Sequence, residues 1–600
     1  MSWNYKDLKK NLYNIPILRF GGISMINYKI EIAKKIADIT NLDTEEIAKY
    51  IEIPPNTEMG DYTFPCFRLA KELKKAPPMI AQEIKEKFES SNNENSENTS
   101  NIDFIDKFEV VGGYLNVFIN KNTYICDVME DALKQGDDFG KSDIGNGKTV
   151  VIDYSAPNIA KPFHIGHLRS TVIGGALYKL YKFLGYNVVG INHLGDWGMG
   201  VCRTIAGYLM WKDEYDFSVE PIKSILQIYI RYNKLEKEDP DFKVHAVEAL
   251  KKLEEGNEEV TKIWKWIIEV SLADYNKIYN LMGCKFDSYN GEAFYNDKMD
   301  RVIEELKAKN ILVESEGAQV VMMDEDIPPC IILTSAGTTI YATRDLAALL
   351  YRIDNYNFDK CLYLVASEQS LHFKQVFTTL AKMGYEDYAK NCEHIPFGLI
   401  LGSDGQKFGS RKGNAVTLEE VFNEAIEKSL SIIEEKNPDL EDKQEVATKV
   451  GVGAIIFNDL ANNRIKDEIF DWDQILNFSG ETGPYMQYTY VRTRSILRNA
   501  GYVPETADFT KLNDKEGFEV IKTIGQFGDI VKSAVDKNEP SILSRYLLEL
   551  AKNFSRFYNE HHIICDDKDV QDARLLLTKV TGDVIKEGLG LLGIQCPEKM

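Results

Sequence analysis

Val150-Val151-Ile152-Asp153-Tyr154-Ser155-Ala156-Pro157-Asn158-Ile159-Ala160-Lys161-Pro162-Phe163-His164-Ile165-Gly166-His167 is the stretch whose reading decides the fold. Its apolar start reads as a buried strand, Ser155 to Asn158 breaks the run, and helical patterning resumes near Gly166 and continues to about Leu184. Two histidines stand at the mouth of that helix. Backbone N–H groups at a helix N-terminus favour an anion, Gly166 lets a flat ring approach the backbone, and the imidazoles of His164 and His167 can donate to phosphoryl oxygens. A nucleotide phosphate is the ligand that suits this layout. The next apolar run, Val188 to His193, completes a βαβ unit, whose crossover is right-handed and whose ligand lies at the strand C-termini.

Outward from this unit, residues 205 to 312 are largely helical and charged and read as an insertion into a nucleotide-binding sheet. Strand signals return at Val320 to Met323, Cys330 to Leu333, Lys360 to Val365 and Ile395 to Leu401, and are expected to supply the second half of that sheet. After about Asn437 the periodicity predicts helices at Val446 to Asn463, Tyr485 to Asn499, Phe518 to Val535 and Ser541 to Glu560. Upstream, two helical stretches within 26 to 88 flank a turn at Pro54, Pro55, Gly60 and Asp61. Ser90 to Asn101 is too polar to offset ordering entropy by burial and reads as a loop, and Phe108 to Ile119 reads as strands turned at Gly112-Gly113. The chain is therefore expected to be a multidomain α/β protein. Residues 1–146 form an N-terminal α+β domain, 147–436 a Rossmann-like parallel-sheet domain with the helical insertion, and 437–600 an all-α bundle.

Six hundred residues exceed what one core organises, which agrees with several domains. No long apolar segment is present, and the N-terminus shows no leader pattern, so a soluble, unexported, cytoplasmic protein is expected. The nine cysteines (66, 126, 202, 284, 330, 361, 392, 565 and 596) have no metal-ligand spacing, and no structural zinc is expected. A formal charge of -22 argues against a protein that coats nucleic acid by general cationic attraction. Any RNA contact must rest on local patches. One is Arg68, Lys71, Lys74, Lys75, Lys85 and Lys87, which reads either as such a patch or as a solvated helix face.

A second motif runs Gly402-Ser403-Asp404-Gly405-Gln406-Lys407-Phe408-Gly409-Ser410-Arg411-Lys412-Gly413-Asn414. Its glycines and cations suit a clamp on a leaving pyrophosphate, or else a basic surface turn. Farther on, Tyr488 and Arg492 are four apart and hence neighbours on one helix face, either a stacking platform for unpaired bases or a core stripe. His193 lies after the second strand, where it either meets a ligand or belongs to a turn built by Gly195 and Gly198.

His164-Ile165-Gly166-His167 resembles the ATP-binding signature of class I aminoacyl-tRNA synthetases, and the longer string from Ser155 to Ser170 is similar to their arginyl branch. Lys407-Phe408-Gly409-Ser410-Arg411 stands where that family has Lys-Met-Ser-Lys-Ser, departing at four of five positions, and Lys161 stands where the arginyl branch places a compensating lysine. The resemblance implies ATP-dependent attachment of L-arginine to its tRNA through an aminoacyl-adenylate. Magnesium would accompany ATP, no protein-held metal is implied, and a monomer is expected. Catalysis would fall to His164, His167, Lys161, Lys407 and Arg411, and ATP binding to His164, Gly166, His167, Lys407 and Ser410. Arginine would be held by Asp153, Asn158, His193, Tyr341, Asp345 and Gln375, and tRNA by Tyr488, Arg492 and Met600. Gly60-Asp61-Tyr62 with Leu69-Ala70-Lys71 is similar to the family's additional domain at the tRNA corner. Arginyl members usually need bound tRNA before they activate the amino acid. Three other readings stand beside this one: a class I synthetase for another amino acid, a small-molecule nucleotidyltransferase, and a silent tRNA-binding paralogue. The last two are disfavoured by Tyr488 with Arg492 and by the intact His164, Gly166, His167 and Lys407, respectively.

Overall fold

Alternation around Phe108, Leu115 and Val117 produces an antiparallel sheet of strands β1 (Tyr62–Pro65), β2 (Ile105–Val111) and β3 (Tyr114–Ile119), in the order β1-β3-β2. Gly112, at φ +60°, makes the two-residue turn, and a Cβ on Gly113 would fall 2.5 Å from the Phe67 ring. Helices Tyr28–Thr40 and Pro77–Glu94 lay Ile32, Ile36, Ile80 and Ile84 against Phe64, Leu115 and Val117 in one apolar core. Strand β1 follows the expected turn and was not foreseen. The second helix runs to Glu94, into the tract expected to be a loop.

The computed structural model describes residues 28–54, 59–94, 104–324, 327–402, 405 and 416–600. They cluster into two units: the residues up to Lys141 with Ser495–Gly528 and Lys552–Val584, and Ser142–Arg494 with Asp529–Ala551 and Ile585–Met600.

In the second unit the strands are β4 (Thr149–Asp153), β5 (Asn187–Ile191), β6 (Leu312–Ser315), β7 (Ala318–Val321), β8 (Cys330–Leu333), β9 (Lys360–Tyr363) and β10 (Cys392–His394). A parallel sheet forms in the order β10-β9-β4-β5, and Val150, Val151 and Ile152 in β4 are completely buried, as a strand covered on both faces requires. β6, β7 and β8 make a separate antiparallel sheet, which corrects the expectation that 320–323 and 330–333 belong to the parallel one. The physical difference is one-sided burial: Ile332 is buried while its neighbour Ile331 is exposed. Of the run 395–401, only β11 (Ile400–Leu401) is strand, paired in parallel with β12 (Glu468–Ile469).

Helix α1 (Leu168–Phe183) is buried nearly all round, and Gly174 lets it lie against Tyr154, whose ring would be 2.3 Å from an added Cβ. The inserted helices span Met199–Trp211 to Glu258–Leu281 around Val201, Ile205, Tyr232 and Ile267. Helix Met299–Ala308 instead packs into the core of the parallel sheet, together with α2 (Tyr341–Tyr356) and α3 (Ser370–Lys382). Beyond β11 come α4 (Leu418–Lys436), α5 (Lys443–Ala461) and α6 (Gly483–Ala500). The single helix expected over 518–535 is two, Lys515–Ile524 and Phe527–Asp536, divided at Gly525-Gln526.

The chain leaves β4 toward β5 on one side and later returns as β9 on the other. The C-terminal ends of β4 and β9, where Asp153 stands opposite Tyr363, are thus the topological switch point at which such sheets hold ligands.

Candidate active site

Beyond Asp153 the backbone enters left-handed space at three non-glycine residues: Ser155 (φ 71°), Ala156 (46°) and Ala160 (63°). Such strain persists only where surroundings over-determine it, and it clusters at functional sites. The Ser155 N–H donates to Ser170 Oγ at 2.9 Å, and Ser155 Oγ lies 2.8 Å from the Tyr279 hydroxyl and accepts from Thr171 at 2.9 Å. Gly195 exchanges backbone hydrogen bonds with Pro157 and Ile159, and the Tyr275 hydroxyl reaches the carbonyls of Asn158 (2.8 Å) and Lys161 (2.7 Å). Asn158 is exposed by this path, and Lys161 extends over the Tyr229 ring, 5.2 Å from its centroid.

His164 caps the turn that opens α1, its Nδ1 accepting the Gly166 N–H at 3.1 Å. That bond assigns the His164 proton to Nε2, a donor. A Cβ on residue 166 would be 2.9 Å from the His164 ring, so glycine permits the fold-back. The His164 and His167 rings lie 3.9 Å apart, and Phe163 stacks on His167. Burial, then the neighbouring His164 and Lys161, pull His167 down to about 3, so it is a neutral imidazole at pH 7. Its Nδ1 is enclosed without a hydrogen-bond partner among the described residues.

Lys407, Ser410 and Arg411 lie outside the described residues. The described residues resume at Val416. Ile165 N–H donates to Val416 O (3.1 Å), His164 bridges Thr417, and Leu418 N–H donates to Phe163 O (2.8 Å). Thr417 then starts α4 with a reciprocal capping box to Glu420.

The other half of the site is acidic and is drawn from separate segments. Asp345 Oδ2 lies 2.6 Å from His372 Nε2, with exposed Tyr341 edge-on to the same imidazole, centroids 4.9 Å apart. Gln375 Nε2 donates to Pro328 O (2.8 Å) and lies 3.2 Å from Pro329 O, so this side chain holds a loop. Glu292 approaches Arg344 at 3.8 Å, and burial, reinforced by Asp196 and Asp345, pushes its carboxyl up to about 7. Burial likewise pushes Asp196 up to about 6, although its Oδ1 accepts the Ala293 N–H at 2.8 Å. Gly291 is required there, because a Cβ would fall 2.6 Å from Leu194 O. His193 stacks on Tyr295 (5.4 Å, 9°), and burial lowers its pKa despite nearby Asp153.

Asp153 meets an arginine, but one of the chain's own. Its Oδ2 accepts from Arg352 Nη2 at 2.6 Å, and the fully buried Arg352 also lies over the Tyr363 ring. The structure thus groups His193, Tyr341 and Asp345 around His372 and Asp153, and His164, Gly166, His167 and Lys161 around the mouth of α1. Glu292, Asp196, His372 and Arg352 were not singled out in the sequence. The string Leu371-His372-Phe373-Lys374-Gln375 offered His372, whereas Glu292 carried no motif.

On α6, exposed Tyr488 lies under the Arg492 guanidinium, 5.0 Å from ring centroid to carbon. Met600 packs against Ile433, Val446 and Val450, its carbonyl accepting from Asn437 Nδ2 at 3.3 Å. In the first unit, exposed Phe67 and Tyr114 meet edge-on at 5.3 Å, and Arg68 covers Tyr50.

Comparison with known proteins gives three family matches: the class I (R) tRNA synthetase catalytic domain over residues 128–472, the DALR anticodon binding domain over 486–600, and the arginyl tRNA synthetase N-terminal domain over 27–119. An arginine–tRNA ligase of Clostridium botulinum is 49% identical over 577 residues, covering 96% of this chain and 100% of the relative. One from Clostridium beijerinckii is 48% identical with the same coverage. Among solved structures, the Thermus thermophilus arginyl-tRNA synthetase superposes with a TM-score of 0.80 at 24% identity, covering 95% of this chain and 100% of that one.

Proposed function

The chain belongs to the arginyl-tRNA synthetases of class I, and from that membership we propose how its own residues divide the work. It is an arginine–tRNA ligase, joining L-arginine to tRNA(Arg) with ATP through an arginyl-adenylate and releasing AMP and pyrophosphate. The observation that carries the assignment of roles is a pair of carboxylates, Asp345 and Glu292, close enough to influence one another, in the same fold as a neutral His167 at the mouth of the helix that follows β4.

The substrate guanidinium enters as a planar cation and is met by Asp345 and Glu292, which suit paired hydrogen bonds to carboxylates. Asp153, engaged by Arg352, holds α2 to β4 and positions the pocket, with His193 filling its inner wall and Gln375 its loop side. Asn158, exposed after the left-handed turn, is placed to meet the amino-acid backbone. The arginine carboxylate oxygen then attacks the α-phosphorus; the bond from that phosphorus to the bridging oxygen breaks, and pyrophosphate leaves. His164 and His167 donate to phosphoryl oxygens, while Lys161 and, in the second motif, Lys407, Ser410 and Arg411 balance charge on the leaving group. No covalent enzyme intermediate is involved, so positioning and electrostatics carry the rate. A terminal ribose hydroxyl of tRNA finally attacks the acyl carbon, losing its proton and displacing AMP.

ATP use in this family typically involves Mg²⁺. The described donors on the phosphate side are imidazoles and an ammonium, which match phosphate oxygens rather than a hard cation that takes oxygen ligands. The ion would travel on the triphosphate, and no step here is routed through it.

The reading keeps three functional segments, 1–146, 147–436 and 437–600, the last offering Tyr488 with Arg492 as a base-stacking platform and Met600 as a further tRNA contact. Phe67 and Tyr114 offer a second aromatic surface. None of the described helices is long and apolar enough to cross a membrane; the reading takes the enzyme as a cytoplasmic monomer. The direct test incubates the protein with ATP, total tRNA and each labelled amino acid in turn. Arginine alone should be charged; charging of another would overturn the reading. Omitting tRNA should silence ATP–pyrophosphate exchange.

A further inference from the structure

Both described ends of the 403–415 stretch are tied to the histidine motif, and the upstream tie uses buried charges that the reaction does not need. Leu401 O accepts from Phe470 N–H (2.8 Å), Leu399 O from Glu468 N–H (2.9 Å), and Gly398 N–H donates to Arg464 O (2.9 Å), so β11 is stitched to β12 just before Gly402. The strand β12 is in turn gripped by α1. Arg169, five residues past His164, places Nε 2.7 Å from Asp459 Oδ1 and Nη1 2.7 Å from the carbonyl of Lys466, two residues before β12 begins. The Arg169 and Asp459 side chains are only 2% and 3% exposed. Glu468 accepts from Asn458 Nδ2.

One arrangement in this cluster is chemically diagnostic. Glu468 Oε2 and Asp459 Oδ2 are both enclosed with no donor among the described residues, and the Asp459 carboxylate is close enough to raise the Glu468 pKa. Two buried carboxylates come so close when a proton lies between them. Burial and then Asp459 drive the Glu468 carboxyl upward, so Glu468 is the protonated partner. Well-packed apolar residues would give at least equal stability in place of a buried ion pair. What the polar cluster adds is direction: it fixes one strand to one face of one helix.

We propose that Arg169, Asp459 and Glu468 are positioning residues for adenylate formation, holding the β11–β12 ladder from which the 403–415 stretch departs to the helix that presents His164 and His167. Glu468 acts as a neutral hydrogen-bonding acid. The proposal rests on the reading of Lys407 and Arg411 as ATP-facing groups. The test is ATP–pyrophosphate exchange by the full chain with saturating tRNA. Arg169→Lys keeps a cation beside Asp459 and gives up the Lys466 carbonyl; its KM for ATP should rise at least about fivefold, with the arginine KM and tRNA affinity within about twofold of wild type. Glu468→Gln, isosteric with the protonated acid, should behave as wild type, and Glu468→Leu should resemble Arg169→Lys. If Glu468→Leu fails to fold, Arg169→Lys and Glu468→Gln decide. An unchanged ATP KM in Arg169→Lys, equal losses for ATP, arginine and tRNA, or a Glu468→Gln defect as deep as that of Arg169→Lys overturns the proposal. Lys407→Ala separates it from the reading beneath: a raised ATP KM there but not in Arg169→Lys defeats the anchoring alone, whereas no change in Lys407→Ala defeats both.

Discussion

Along the histidine motif burial lowers a pKa, bringing His167 down to about 3, whereas around Asp345 it raises them, taking Glu292 up to about 7 and Asp196 up to about 6. Desolvation penalises whichever form is charged, so one cause favours the neutral form both of His167 and of the Glu292 and Asp196 carboxyls. The consequences differ. The imidazoles are already in their working form, because a neutral ring still donates a hydrogen bond to phosphate. Glu292 is only half ready, and it gains its charge when a guanidinium arrives to stabilise the carboxylate. The phosphate side is a fixed frame, and the arginine side completes itself on binding.

The deepest cut at this contrast is Asp345→Ala. It removes a carboxylate that a buried guanidinium requires, and the arginine KM should rise about 10³-fold with the ATP KM nearly unchanged, as measured by aminoacylation. An equal rise for ATP would show that the two halves are not separable. His167→Ala strikes the frame instead, lowering the activation kcat about 10²-fold by analogy with loss of one preorganised donor, while tRNA binding in a filter assay stays constant. pH distinguishes the halves next. Only ionised Glu292 serves the guanidinium, so the arginine KM should fall about tenfold between pH 6 and pH 8 as a group near 7 loses its proton. Glu292→Gln should flatten that slope; a slope surviving in the variant would place the titration elsewhere. His167, with its pKa far below this range, should impose none of it. The smallest effect concerns neither half: Tyr488→Ala should weaken tRNA binding by about 1 kcal/mol, roughly fivefold, with the arginine KM unaltered.

The same contrast explains what the sequence displays. The phosphate side occupies adjacent residues, Lys161 to His167, and a linear reading recovers it together with the strand before and the helix after. The arginine side is assembled from four places, and its members betray themselves only through neighbours. Asp345 and Tyr341 are legible through a string resemblance, but Glu292 sits in an irregular segment with nothing periodic around it, and Arg352 is one more cation in an amphipathic helix. Asp153 is the instructive case, since its position at the strand end was legible and its partner, 199 residues away, was not. Sheet membership fails for a related reason. Cys330 to Leu333 and Lys360 to Tyr363 are both short apolar runs; the first pairs with the strand just before it and the second with one about 200 residues upstream, and the runs themselves do not show which.

Strand β4 carries a cost in time. It pairs on one side with β5, a few dozen residues downstream, but on the other with β9, where Asp153 awaits Tyr363, about 200 residues further along. At a synthesis rate of about 5–20 residues per second, the Val150-Val151-Ile152 edge emerges from the ribosome on the order of 10–40 s before its second neighbour exists. An unpaired apolar strand edge is a template for adhesion to other chains. Helix α1 and the inserted helices are made in that interval, and local contacts let them fold at once. Of these, α1 is in position to shield one face of the waiting strand while its edge stays open. The switch point that later becomes the catalytic crevice is, during synthesis, a seam that closes late.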